Sequence, residues 1–321
     1  MRRGSTFRLM TLLLGGLLLL GACGDDDETG DSAGSLADEY DLSGARFTVG
    51  SKEFTEQLVL GNITRLALQA VGAEVKDEIG LEGSAVARAA LLSRDIDMYW
   101  EYTGTGWITH LGEETPIPDA AEQYRAVAER DLEENGIRWL EPAPFNNTYA
   151  LAVRSEATEE LGTTSISDFA TLVQSDPQAA TLCVGTEFSV RDDGLPGLEQ
   201  HYGFDISDDH LALVQDAVIY SRVDQGEPCN FGEVFTTDGR IASLGLTVLE
   251  DDKDFFPKFN PALTLRDEVF SEHPELEGLF AMIARLLDEA TMTELNALVD
   301  NDGRSPEDVA SAWLEQEGLV R

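Results

Sequence analysis

Basic residues are scarce in this chain: 22 Lys and Arg stand against 61 Asp and Glu, and the formal net charge is −39. A surface of that sign repels nucleic acid and anionic lipid, so neither is an expected partner. Adaptation to a salty setting and ordinary secretion of an acidic protein both fit this composition. At long range the charge favours a cationic ligand over an anionic one.

Common catalytic motifs are also missing. The sequence contains no Gly-rich phosphate loop, no His-Glu-x-x-His, no Cys-x-x-Cys and no Gly-x-Ser-x-Gly. Its four histidines are scattered, and nothing points to a Ser/His/Asp arrangement. We therefore expect a protein that is not an enzyme and that uses no metal and no cofactor.

Only three cysteines are present, and the first of them ends a secretory signal. A basic start precedes an apolar run, residues 9–20, which is too short for a spanning helix. The run ends in Leu20-Gly21-Ala22-Cys23, which resembles a bacterial lipobox. Removal of residues 1–22 and lipidation of Cys23 are expected, which anchors an extracytoplasmic protein to the cell membrane. The alternative is a coincidental cysteine after a plain signal peptide.

The segment that follows is polar. Residues 23–44 are mostly Gly, Asp, Glu, Ser and Ala, which predicts a disordered tether. The two remaining cysteines, Cys183 and Cys229, are available to form a disulfide in an oxidising compartment. Two buried free thiols are the alternative.

From residue 45 onward the chain alternates strand and helix patterns, which indicates an α/β fold. Residues 46–49 form a first strand, and Val59, Ile63 and Leu66 recur at helical spacing after it. Near the end, a strand at 246–249 is predicted to be followed by three helices.

A lysine lies where the first strand turns into this helix, in Gly50-Ser51-Lys52-Glu53-Phe54-Thr55-Glu56-Gln57. The positive end of a helix and an ammonium group together suit an anion such as a carboxylate. A solvated turn residue is the alternative interpretation of Lys52.

Four aromatic residues lie in predicted loops beside small or polar residues: Tyr102, Tyr149, Phe235 and Phe259. Each alone is better explained as core packing. Together, at converging strand ends, they suit a quaternary ammonium group, since that cation has no N–H to donate and ring faces attract it.

Several motifs occur in an order that resembles the substrate-binding proteins of osmoprotectant ABC importers, which take up glycine betaine, choline, carnitine and related compounds. They are the Gly50–Gln57 segment, Glu101-Tyr102-Thr103-Gly104-Thr105, Asn147-Thr148-Tyr149, Glu187-Phe188 with Arg191-Asp192-Asp193-Gly194, Thr237-Asp238-Gly239-Arg240, and Asp251-Asp252-Lys253 through Pro257. The resemblance covers roughly residues 45–321. It implies a two-lobed periplasmic-binding-protein fold of type II with two crossover strands and ligand in the interlobe cleft. Lobe 1 would comprise 45–147 and 247–321, and lobe 2 would comprise 148–246.

The resemblance also implies roles for individual residues. Lys52, Thr105 and Arg191 match residues that hold a betaine carboxylate, and Tyr102 and Tyr149 match two walls of an aromatic cage. Arg191 pairing with Asp192 or Glu187 on the surface is the alternative for that residue.

Four further positions depart from the family pattern or match it less closely. Phe235 and Phe259 stand where related proteins commonly carry tyrosine, and Asn147 stands where some carry aspartate. Glu187 is expected to line the same region.

The implied function is that of a monomeric receptor that delivers a quaternary-ammonium osmolyte to the permease of an ABC transporter. The sequence leans to betaines, because choline has no carboxylate for Lys52 and Arg191. A protein of the same fold that binds another amino-acid-like solute is the alternative.

Overall fold

Two five-stranded sheets organise residues 35–321, the part of the chain that this computed structural model describes. The strands are β1 Arg46–Lys52, β2 Glu74–Leu81, β3 Met98–Tyr102, β4 Ile137–Trp139, β5 Tyr149–Arg154, β6 Leu182–Val184, β7 Leu211–Leu213, β8 Phe231–Phe235, β9 Leu246–Val248 and β10 Pro261–Arg266.

Helices cover both sheets, as in other α/β proteins. They are α1 Leu36–Glu39, α2 Thr55–Ala70, α3 Ser84–Ser93, α4 Thr103–Thr105, α5 Ala120–Asn135, α6 Ala157–Leu161, α7 Ile166–Ser175, α8 Leu195–Tyr202, α9 Asp216–Gln225, α10 Arg240–Ser243, α11 Asp267–Glu272, α12 Leu276–Leu286, α13 Glu289–Asp300 and α14 Pro306–Gln316. None of the described helices is both long and apolar enough to cross a bilayer.

The two sheets share one topology. The strand order is β2-β1-β3-β10-β4 in the first and β7-β6-β8-β5-β9 in the second. In each sheet the fourth strand is antiparallel to its neighbours, and it is the strand that the chain contributes after crossing from the other sheet. The predicted α/β class and the two-lobed architecture are confirmed.

The chain crosses twice between the sheets, from β4 to β5 and from β9 to β10. The predicted return at residue 247 was wrong by a small margin, because β9 still pairs with β5 in the second sheet. Three helices were predicted after that strand; instead, β10 and then four helices, α11 to α14, follow it. β10 lies inside the first sheet between β3 and β4, a pairing that short-range pattern cannot reveal.

Local sequence explains several helix ends. The side chain of Ser165 accepts the backbone N–H of Asp168, and the side chain of Asp168 accepts the backbone N–H of Ser165. This capping box begins α7. The side chain of Ser305 accepts the backbone N–H of Asp308 and so caps α14, with Pro306 at its first position.

The prediction of a disordered tether up to residue 44 is wrong for its described part. Residues Leu36–Glu39 form α1, and Leu36 and Leu42 are buried in the core of the first lobe. The backbone N–H of Leu36 donates to the carbonyl of Leu319. Two apolar side chains in a polar stretch are enough to tie it to the domain. Residues 1–22 and the predicted lipidation site Cys23 lie outside the described residues.

A disulfide joins β6 to the segment before β8. Cys183 and Cys229 are bonded with an S–S distance of 2.06 Å, and both are buried. The bond links two segments of the second lobe that are 46 residues apart in sequence.

Candidate functional site

All nine residues that the sequence predicts to bind ligand line one cavity of about 50 Å³ between the two sheets. They are Lys52, Tyr102, Thr105, Asn147, Tyr149, Glu187, Arg191, Phe235 and Phe259. Several come from strand ends: Lys52 ends β1, Tyr102 ends β3, and Phe235 ends β8. In open α/β sheets, such ends are the usual place for a ligand.

The aromatic side chains of this set form a connected group. The ring of Tyr149 lies 5.2 Å from Phe235 and 5.5 Å from Phe259, measured between centroids. Phe54 stacks on Phe235 at 5.2 Å and lies 6.1 Å from Tyr102, so it joins the two lobes' rings.

Sequence reasoning missed two rings of this cavity, Phe54 and Phe188. Phe188 lies 5.0 Å from Tyr149, and both missed rings line the cavity. Each follows a strand closely, after β1 and after β6. That is the same signal that singled out Tyr102, and both rings stand within the family motifs.

Lys52 is buried and paired. It is 3% exposed, and its Nζ donates to Oε1 of Glu101 at 2.6 Å, so a solvated turn residue is ruled out. Glu101 also accepts from Tyr99 and from His110, each at 2.9 Å. Burial alone would raise the pKa of Glu101, but Lys52 and His110 bring it well below its ordinary value.

Arg191 is held by two carboxylates and reaches the other lobe. Its Nε and Nη2 donate to Asp193 at 2.6 Å each, and Nη1 donates to Glu187 at 2.6 Å. Nη2 also donates to the hydroxyl of Thr105 at 3.3 Å. The pairing with Glu187 was expected, but Arg191 is only 7% exposed, so this is an interior network rather than a surface bridge.

Glu187 connects the lobes through its side chain. Its Oε2 accepts the backbone N–H of Ser84 at 3.1 Å, at the first residue of α3. Burial opposes ionisation of Glu187, but the charges of Lys52 and Arg191 prevail and lower its pKa. A helix N-terminus further favours the ionised form.

Glu56 is a buried carboxylate that sequence reasoning missed. It is 2% exposed, and it accepts hydrogen bonds from Tyr102, Asn147, Thr237 and Asn296 at 2.6–3.2 Å. Burial raises the pKa of Glu56, and these four donors oppose that rise. All four are neutral, so the carboxylate has no described cationic partner.

The cavity adjoins a wider cleft of about 870 Å³, which is strongly acidic. Its carboxylates are Glu53, Glu56, Glu82, Glu187, Asp216, Asp238 and Asp300, and Arg240 is the basic residue among its described lining. Such a wall attracts cations towards the cavity. Within residues 35–321, no group of three or more His, Cys, Asp or Glu side chains is arranged to hold a metal ion.

Comparisons with known proteins show the family of this chain. Residues 45–316 match the family model described as the substrate binding domain of the ABC-type glycine betaine transport system. The chain belongs to that family. It is 40% identical over 279 residues to a glycine-betaine-binding protein of Pseudomonas aeruginosa, which covers 85% of this chain and 88% of that protein.

Two comparisons with Escherichia coli YehZ extend the match. Its sequence, that of a glycine betaine-binding protein, is 34% identical over 278 residues, 85% of this chain and 91% of that protein. The ligand-free structure of YehZ superposes with a TM-score of 0.63 at 33% identity, over 86% of this chain and 99% of that one. Family members are substrate-binding components of transporters rather than enzymes, so the expectation of a non-enzymatic protein is confirmed.

Proposed function

We propose that this member of the glycine betaine family binds a quaternary-ammonium osmolyte in the cavity, with the cation among the rings and the carboxylate at Lys52, Thr105 and Arg191. The observation that carries the proposal is the convergence of rings and two buried basic side chains on one enclosed space. Glycine betaine, proline betaine and carnitine have both ends that such a site requires. Choline has the cation alone.

At the cation end, ring faces supply the attraction, on the order of 0.5–2 kcal/mol for each ring. Phe235 and Phe259 keep the ring face and lack the hydroxyl. Asn147 is neutral, but its amide donates to Glu56 at 3.0 Å, so a negative charge lies directly behind it. Tyr102 donates to the same carboxylate at 2.7 Å. The charge that an aspartate at position 147 would bring is therefore supplied from α2.

At the carboxylate end, the basic side chains are held in place by acids of the protein. Glu101 fixes Lys52, and Asp193 fixes the guanidinium of Arg191 on one edge. Glu187 contacts the remaining terminal nitrogen, Nη1, and is the carboxylate that an incoming ligand carboxylate would displace or share. Binding then exchanges one carboxylate for another, which costs little charge burial.

The cellular context follows from the family and the N-terminal sequence. We propose that the protein is a monomer, anchored outside the cytoplasm by lipid on Cys23, and that it passes its ligand to ABC permease subunits. Residues 45–147 with the segment after β9 form one lobe, residues 148–248 form the other, and the lobes close over the ligand as a hinged clamp.

Calorimetric titration of the purified protein with glycine betaine, proline betaine, carnitine and choline tests this function. At least one of them should bind, and Tyr149→Leu should weaken that binding tenfold or more. The matched control is Tyr202→Leu, which removes another buried tyrosine of the same lobe that does not line the cavity. No binding of any of the four at millimolar concentration would refute the proposal. An equal loss of affinity in both variants would show that Tyr149 has no special role. That result would contradict the aromatic cage and favour another amino-acid-like solute as the ligand.

A further inference from the structure

Glu233 lines the cavity and belongs to neither its cation end nor its carboxylate end. It lies on β8, is 3% exposed, and its Oε2 accepts the backbone N–H of Gly185 at 2.8 Å. No described residue donates a hydrogen bond to its other oxygen, Oε1. This oxygen is not among the enclosed polar atoms that lack a partner, so it is open to the cavity that Glu233 lines and can accept a hydrogen bond there.

A second carboxyl group lies beside it. Asp216 begins α9 and also lines the cavity. A Cβ atom at Gly185 would lie 1.9 Å from Oδ1 of Asp216 and 3.5 Å from Oε2 of Glu233. Because glycine has no side chain, both carboxyl groups can approach the backbone of this residue. Neither forms a salt bridge with a described basic residue. Burial and then the charge of Asp216 raise the pKa of Glu233 well above its ordinary value.

Glu233 shares the cavity with residues of both its cation end and its carboxylate end. Side chains two residues apart on a strand point to the same face, so Glu233 and Phe235 share one face of β8. Arg191, a cation of the carboxylate end, lines the same cavity as Glu233. The carboxyl group therefore shares one small cavity with a ring of the cation end and a cation of the carboxylate end.

From this placement we propose a third subsite, formed by Glu233 and Asp216 around Gly185, which binds a hydroxyl group on the linker between the ligand's cationic head and its carboxylate. A hydroxyl both donates and accepts, so it satisfies Oε1 whether or not the carboxyl carries a proton. The subsite rests on the proposed osmolyte-binding function and narrows it to hydroxylated zwitterions, which the cavity should prefer over their deoxy analogues.

The test compares two ligands that differ by one hydroxyl: carnitine and 4-(trimethylammonio)butanoate. Calorimetric titration of the unmodified protein should give about tenfold tighter binding of carnitine, the size of one hydrogen bond to a buried acceptor. In Glu233→Met the ratio of the two affinities should fall close to one, because carnitine loses its hydrogen bond and the deoxy ligand loses little affinity. Glu160→Met, an exposed change in the same lobe, should leave the ratio unchanged.

Thermal unfolding of each variant shows whether it is folded. If Glu233→Met does not fold, Glu233→Gln replaces it. Its amide oxygen takes the Gly185 bond and leaves an NH₂ towards the cavity, and the ratio should fall to about threefold. Equal binding of the two ligands by the unmodified protein would overturn the proposal, as would a variant that weakens both equally. Failure of every quaternary amine to bind refutes the proposed function itself and is seen in the first titration.

Discussion

Glu101 and Asp193 accept hydrogen bonds from Lys52 and Arg191, the basic side chains of the cavity. These pairs hold both cations in one orientation before any ligand arrives, which lowers the cost of ordering them on binding. They also cancel much of the positive charge. In the proposed function, recognition of a ligand carboxylate at this end therefore depends on placed N–H donors rather than on a net positive field.

Asp216 is destabilised in its ionised form. Burial, then the charges of Glu53 and Glu187, raise its pKa to about 6, against weaker opposition that includes Arg240. Between an ordinary aspartate pKa of about 4 and this value the folded state binds more protons than the unfolded state, so this group's contribution to stability falls as pH rises.

Asp216→Asn should therefore have a melting temperature above that of the unmodified protein at pH 7.5, with the difference shrinking towards pH 4. Thermal unfolding at pH 4, 5.5 and 7.5 measures it. Asp224→Asn, on the exposed side of the same helix, is the control and should show no such trend. A constant difference at all three values would contradict the assignment.

Sequence identified the cavity residues that match known motifs, and it missed the acids that complete the site. Lys52 stands out because basic residues are few, and Tyr102 stands out because it is one of several loop aromatics and lies in a family motif. Glu56, Glu101 and Glu233 do not stand out among 61 acidic residues. Only the tertiary fold distinguishes a buried carboxylate from a solvated one, since burial comes from distant elements such as α13, which brings Asn296 to Glu56.

At the scale of elements, local sequence patterns predicted the helices that have a clear cap or a clear hydrophobic period. Helix α14 has its cap and its proline, and α2 has a clear period. Strand β10 has neither, because Pro261–Arg266 is a short apolar run whose partners, β3 and β4, are more than a hundred residues away. The short strand β6 carries a different long-range link, the disulfide from Cys183 to Cys229.

Replacing Cys183 and Cys229 by serine together should lower the free energy of unfolding by about 4 kcal/mol, the chain-entropy value for a loop of this size. Urea unfolding of the variant and of the unmodified protein, each with and without reductant, measures the effect. Reductant should move the unmodified protein towards the variant and leave the variant unchanged. An unfolding midpoint that is the same in all four samples would show that the two thiols are not bonded.

At the scale of the whole molecule, the acidic cleft and the proposed osmolyte site act over different distances. The cleft walls carry many carboxylates and attract any cation, whereas in the proposed function the cavity recognises its ligand by contact. A ligand with net positive charge gains from both. A zwitterion gains mainly from the cavity, because the far field acts on its two charges with opposite sign.

The association rate of choline should accordingly fall as salt rises from about 50 mM to about 500 mM, while that of glycine betaine changes little. Stopped-flow measurement of tryptophan fluorescence at several salt concentrations records both rates. Equal salt dependence for the two ligands would contradict a role for the cleft charge in attracting cations.

Attraction between the aromatic rings and a ligand cation is central to the proposed function, and one pair of ligands tests it directly. Glycine betaine and 3,3-dimethylbutanoate have the same shape and the same carboxylate, and only the first carries a positive charge. Calorimetric titration of the unmodified protein should show glycine betaine bound at least about 30-fold tighter, since even modest attraction to each of several rings adds up to that ratio. Equal affinity for the two ligands would mean that the rings recognise shape alone, which would contradict a cation-binding cage in this cavity.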